Sequence, residues 1–250
     1  FVAQFTAAMI VVGGTLGAVM VTPPVGVLLG AIKKLPLVFV SRQQDAGAAI
    51  EELIGFATKA RKVGIVSLEP EVEALNDPFL KKAMNLAIDG MELKELRKMM
   101  ELEIGLEEQR AEEEAKVFEA AGGYSPTIGI IGAVLGLIQV MKHLENIEEV
   151  GKGIAVAFVA TVYGVGLANI FFLPAGNKLK ARARRAIMLR ELILEGISGI
   201  VEGLNPKLIR CKLEAYAREE APKKTAPAKA AKAGKQTGGA PEPQAAPAKN

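Results

Sequence analysis

Two long uncharged stretches, residues 120–141 and 153–177, constrain this chain more than any other feature. Each is longer than the roughly 20 apolar residues that cross about 30 Å of hydrocarbon as a helix. A short acidic loop joins them, so together they read as a helical hairpin. Both carry Gly, Thr and Pro where a plain lipid anchor would carry Leu. That suits a hairpin built to pack against other helices or to line a path. Residues 1–31 also contain no charge and form a third candidate span. Half of the residues are hydrophobic and mean hydropathy is +0.25, yet 24% are charged. Those figures coexist because charge and apolar residues are segregated along the chain. The expected fold class is all-α: a polytopic helical membrane protein with a helical cytoplasmic domain between two of its spans.

Flanking charge sets the topology. Lys33, Lys34 and Arg42 follow the first stretch, and Lys178, Lys180, Arg182, Arg184, Arg185 and Arg190 follow the last. The hairpin loop carries Glu145, Glu148 and Glu149 against Lys142 and Lys152. By the excess of Lys and Arg on the inner side, residues 32–119 and the C-terminal part are expected to be cytoplasmic and the short loop outside. Three spans then put the N-terminus outside. Because the chain opens on Phe1 beside an apolar run, a further span upstream is expected; no charged start with a small-residue cleavage site is visible. Five segments follow: residues 1–31, a span plus an inner interfacial helix; 32–119, a cytoplasmic helical domain; 120–177, the hairpin; 178–220, cytoplasmic helices; and 221–250, a tail.

Composition excludes several function classes. A net charge of +3 is too small to argue for nucleic acid. The lone Cys211 excludes an intramolecular disulfide and a cysteine-based zinc site. There is no metal cluster, nucleophile triad or phosphate loop, so no catalytic residue is assigned and the chain is not expected to be an enzyme. His143, alone in the outer loop, reads as a solvated residue. The tail holds no aliphatic residue larger than Ala and is expected to be disordered.

Pro23 and Pro24 divide the first stretch into a span over residues 5–21 and an inner helix over 25–37. Gly13 and Gly17, Gly26 and Gly30, and Gly132 and Gly136 are small residues four apart, which let helix backbones approach closely. Apolar residues at Ala46, Ile50, Leu53, Ile54 and Ala57 mark a helix over 43–61. Asn76-Asp77-Pro78 is a cap opening a helix over 79–88, which Asp89-Gly90 ends. A long charged helix from Leu93 runs into the first hairpin span without a break. Its acidic residues, Glu101, Glu103, Glu107, Glu108, Glu112, Glu113 and Glu114, read as a solvated face. A helix over 184–217 is broken at Asn205-Pro206.

Several segments, in order, resemble one family. ARKVGIVSLE (residues 60–69), FEAAGGYSPTIGIIGAVLGLI (118–138), IAVAFVATVYGVGLANIFFLP (154–174) and VVGGTLGAVMV (11–21) are similar to MotA, the larger stator subunit of the bacterial flagellar motor, within the MotA/TolQ/ExbB proton channel superfamily. The resemblance runs from about residue 8 to residue 216; the family's first transmembrane helix has no counterpart here. It implies a homopentamer around two single-span MotB-type partners in the bacterial inner membrane. Each partner brings the Asp that binds the permeating ion. It implies no cofactor beyond the proton motive force. The spans of this chain hold no Asp, Glu, Lys or Arg, which fits a channel whose titrating group belongs to another chain.

The resemblance also assigns residues. Ala133 and Thr161 lie at matched depth, about 12 Å below the outer boundary by helical rise. In the family the Thr faces the partner's Asp, and sodium-driven members carry a second Thr where Ala133 stands. A methyl cannot replace water around Na⁺, so H⁺ is favoured over Na⁺. Thr161 also has an ordinary role open to it, a bond back to its own helix carbonyl. Pro126 and Pro174, at the cytoplasmic ends of the two spans, match the prolines that couple ion transfer to conformational change; either is otherwise a helix start or kink. Tyr124 and Ser125, at the same boundary, read as interfacial. Arg61, Lys62 and Glu69 match the contact with the rotor's C-ring switch protein, with Glu71 and Glu73 as an extension of the acidic patch. Two other readings compete: a TolQ/ExbB-type proton-gradient energiser for envelope transport, and a membrane scaffold with no ion path.

Overall fold

The computed structural model describes residues 4–39, 46–142, 145 and 147–220, with side chains left undescribed at 149 and 217–220. Arg42, His143 and the 221–250 tail lie outside the described residues. The described chain is helical throughout, with no strand among the described residues. The helices are α1 (Phe5–Val21), α2 (Val25–Phe39), α3 (Ala46–Val63), α4 (Glu69–Glu73), α5 (Pro78–Ile88), α6 (Leu93–Lys142), α7 (Ile147–Gly166), α8 (Leu173–Val201) and α9 (Pro206–Glu220). A 3₁₀ turn, Ile65–Leu68, precedes α4, and a π segment, Leu167–Phe172, joins α7 to α8.

Two rods organise the molecule. α6 is 50 residues long, about 75 Å by helical rise, and neither Gly105 nor Pro126 interrupts it. α7, the π segment and α8 form the second rod, antiparallel to the first. At one end the rods pair with each other and with α1. At the other they enter a bundle with α3, α5 and α9, whose core includes Leu53, Leu68, Leu80, Met84, Leu96, Met100, Ile197 and Leu213. The bundle is a soluble-type core: large aliphatic side chains inside, charge outside.

The paired end is the reverse. α1 buries Ala7, Val11, Thr15 and Val19 but exposes Phe5, Met9, Leu16 and Met20. α6 there buries Ser125, Gly129, Gly132 and Gly136 and exposes Ile130, Ile131, Val134, Leu135, Leu137 and Ile138. α7 buries Ala157, Ala160 and Gly164 and exposes Ile154, Phe158 and Val162. Small residues inside and large apolar ones outside is the pattern of helices solvated by lipid or by other apolar helices. Among the described residues two helices, Leu93–Lys142 and Val150–Val201, are long and apolar enough to cross a membrane; α1 is apolar and shorter, at 17 residues.

Local signals explain the boundaries in the bundle. Asp77 caps α5, its Oδ1 accepting from Phe79 N at 2.9 Å and Leu80 N at 3.1 Å, with Pro78 in the first turn. α5 and α8 both end in Schellman motifs. Gly90 (φ 78°) and Gly203 (φ 68°) take the left-handed position. Met91 N donates to Leu86 O, and Leu204 N to Gly199 O. The last helix pair differs from expectation: α8 begins at Leu173 and not near residue 184, because nothing after Pro174 breaks it.

Candidate ion path and charged contact face

The hairpin is held by a seam of small residues. A Cβ on Gly164 would lie 2.6 Å from the Ser125 carbonyl oxygen and 3.0 Å from Gly129 Cα. One on Gly132 would lie 3.0 Å from Ala160 Cβ, and one on Gly136 3.1 Å from Ala157 Cβ. The backbones of α6 and α7 therefore touch, and no larger residue fits at Gly164. This close approach is what Gly132 and Gly136 were expected to allow. Gly13 and Gly17, in contrast, face open space, with nothing near a Cβ at either.

The same register places Ala133 and Thr161 at one level, each next along its helix from the Gly132–Ala160 contact. Both are half-buried. Thr161 Oγ1 donates to Ala157 O at 3.3 Å, a long bond that leaves the oxygen's acceptor capacity free. The ordinary role is thus occupied, weakly.

Pro126 and Pro174 are not level: the residues around Pro126, Ser125 and Gly129, lie against Gly164, ten residues before Pro174. Gly122, whose carbonyl Pro126 cannot bond, packs against Leu173, the residue before Pro174: a Cβ there would be 2.7 Å from Leu173 Cδ2. Pro126 is half-buried within a continuous α6, and Pro174 is exposed. The chain does not restart or kink sharply at Pro174. It loosens beforehand into the π segment, where Leu173 N donates to Ala168 O, five residues back. The wider turn makes room for the ring.

Ser125 departs from its expected interfacial place. It is fully buried, and its Oγ donates to Gly164 O at 2.9 Å, tying α6 to α7. The clue in the sequence was its spacing: with Gly129, Gly132 and Gly136 it completes one small-residue stripe. Tyr124 is at the surface, its hydroxyl 3.4 Å from Thr22 Oγ1. Glu114 departs further from expectation. It is 3% exposed beneath α2, and its Oε2 forms an ion pair with Lys34 Nζ at 2.5 Å. It is not part of a solvated face. Glu103 and Glu107 are paired with Lys82 and Arg190.

At the far end of the bundle, Arg61 and Lys62 close α3 and Glu69 opens α4. Gly64 makes the reversal between them at φ 94°, ψ 155°, a conformation essentially reserved for glycine. Buried Leu68 and Val72 anchor the segment. Arg61, Lys62 and Glu69 are all exposed, and none enters an ion pair among the described residues. Glu71 and Glu73 are engaged, Glu71 by Lys59 and Glu73 by Lys81 at 2.8 Å. The free charges of this face are therefore the first three.

A hairpin seamed by small residues, with no Asp, Glu, Lys or Arg in its two apolar runs and carried on rods that end in a polar bundle, defines a polytopic helical membrane protein. The chain belongs to the MotA/TolQ/ExbB proton channel family, whose model matches residues 71–192. Within that family it is 37% identical over 215 residues to motility protein A of Bacillus subtilis (strain 168), covering 84% of this chain and 78% of that one. Two solved structures share its fold. One is MotAB of C. jejuni, with TM-score 0.83, 33% identity, and 86% and 84% of the two chains covered. The other is the flagellar MotAB stator complex of Bacillus subtilis, with TM-score 0.77, 34% identity, and 88% and 87% covered. These likenesses favour the flagellar branch over the envelope energisers.

Proposed function

We infer that this chain is a flagellar stator subunit that, with a MotB-type partner, passes protons across the bacterial inner membrane and turns that flow into torque on the rotor. The observation that carries this reading is the hairpin, whose close-packed apolar runs hold no Asp, Glu, Lys or Arg. The similarity to stator complexes in which a second protein takes part supports it. Five copies would surround two partner chains, each contributing a membrane Asp near Thr161. Ala133, offering a methyl where a second hydroxyl would help coordinate Na⁺, supports H⁺ as the ion. Pro126 and Pro174 would carry the change at the Asp into the two rods. Arg61, Lys62 and Glu69 would meet the C-ring switch protein, because unpaired charges of both signs register a transient contact without tight binding. Residues 32–119 and 178–220 lie on the cytoplasmic side in this reading.

The experiment is motility and intracellular pH in cells whose stator carries Arg61→Glu or Pro126→Leu. Arg61→Glu is expected to stop swimming and leave proton entry intact. Pro126→Leu is expected to reduce both. Normal swimming in both variants would overturn the proposal, and proton entry replaced by sodium entry would overturn the choice of ion.

A further inference from the structure

Beside Arg61 the bundle has a cavity of about 360 Å³, open to solvent. It exists because small residues meet there: Ala57 and Ala60 from α3, Ala87 from α5, and the two Schellman glycines, Gly90 and Gly203. The residues after those glycines, Met91 and Leu204, fold back as apolar walls, and Ile65 supplies another. By volume the cavity admits a large aliphatic or aromatic side chain, and Ile65, Met91, Ile200 and Leu204 give it apolar atoms to touch beside the polar surface of Arg61 and the backbone.

The rim is chemically different from the walls. Arg61 lines the cavity and is exposed, Lys62 follows it, and neither has an ionic partner among the described residues. Val63 and Val66, next in the chain, are 70% and 63% exposed. The face thus presents an apolar socket, two unpaired cations and two exposed valines in one place. Because Arg61 lines the cavity, a carboxylate paired with it would stand beside the socket. An apolar anchor in a pocket beside a steering charge is how a small contact gains both register and hold.

We propose that this socket receives a bulky apolar side chain standing next to a carboxylate on the rotor ring, so that each rotor contact is an apolar insertion registered by Arg61 and not a charge contact alone. The proposal rests on the reading of Arg61 as rotor-facing and deepens it.

The test uses the full stator complex in motile cells, with exposed Cys211 replaced by Ser. Ala60→Leu fills the socket without altering charge; loss of swimming at unchanged membrane level and unchanged proton entry is expected. Ala60→Cys, nearly the same size and labelled with a short thiol-reactive photo-cross-linker, is expected to cross-link to the rotor switch protein. Normal swimming of Ala60→Leu overturns the proposal. So does a cross-link only to a second copy of this chain, or none. If Ala60→Leu lowers the membrane level, the cross-link decides. Arg61→Glu, run in parallel, separates the two layers: if it stops swimming while the socket variants are silent, the socket falls and the rotor reading stands; if it swims normally, the rotor reading falls.

Discussion

Glu114 shows how much one carboxylate depends on what lies across from it. In the sequence it ends an acidic run and looks like its neighbours. In the structure it points beneath α2, where Gly30 leaves room: a Cβ at that position would collide with Glu114 Oε1. Lys34 supplies the counter-charge one helical turn along α2, and Arg110 Nε is 3.8 Å from Oε1. Removing one partner leaves a buried charge without its compensation, which costs more than losing both. Lys34 is itself 40% exposed, so water moderates the loss. Lys34→Ala is expected to cost about 1–3 kcal/mol, and Lys34→Ala with Glu114→Ala less than the single change. Thermal unfolding of the purified complex measures the cycle. No periodicity in α6 announces this pair, because it depends on a glycine 84 positions away in the chain.

Elements were more legible. α1, α2 and α5 lie within two residues of their expected bounds, since prolines, the Asp77 cap and the Asp89-Gly90 stop act locally. The unbroken run of α6 into the hairpin was also legible, because nothing between Glu92 and Lys142 ends a helix except Pro126, and a continuous apolar face carries the helix past it. The π segment was not legible: it arises from Pro174 meeting a helix already held by the seam. The seam is the element whose geometry has least slack. Gly164→Val would place its Cβ against the α6 backbone at Ser125 and Gly129, which cannot move aside as a side-chain tip can. Overpacking of that kind costs about 1–3 kcal/mol or more. A lowered Tm of the complex and loss of proton entry are expected, whereas Gly13→Val, in open space, is expected to leave the Tm unchanged unless another chain covers that face.

At the scale of the whole molecule, long-range ion pairs bind the two rods and the bundle. Arg97 and Lys212 reach Glu195 at 2.6 Å and 3.1 Å, Lys180 reaches Glu119 at 2.7 Å, and Arg210 grips Glu51 through both nitrogens. Burial pushes the Glu195 carboxyl up, but hydrogen bonds from Arg97 and Lys212 outweigh it and hold its pKa below the usual carboxylate value. A depressed carboxylate stabilises the fold above its unfolded pKa, and that contribution is lost as pH falls through the folded one. Tm is therefore expected to drop as pH is lowered from about 5 downwards, and Glu195→Gln to flatten that slope. Glu52, raised by burial and by Asp77, acts in the opposite direction, so the comparison must be made within the single Glu195 substitution.

The amino-acid order was sufficient for the helices, the membrane-type segregation of charge, the hairpin and the residue types at Ala133, Thr161, Pro126 and Pro174. Those depend on spacing and on local backbone chemistry, which a linear chain carries within a few residues. The backbone contact of α6 with α7, the turn of Ser125 into the seam, the burial of Glu114 and the socket beside Arg61 depend on which surfaces meet. Those are contacts between residues tens of positions apart, and only the packed helices bring them together.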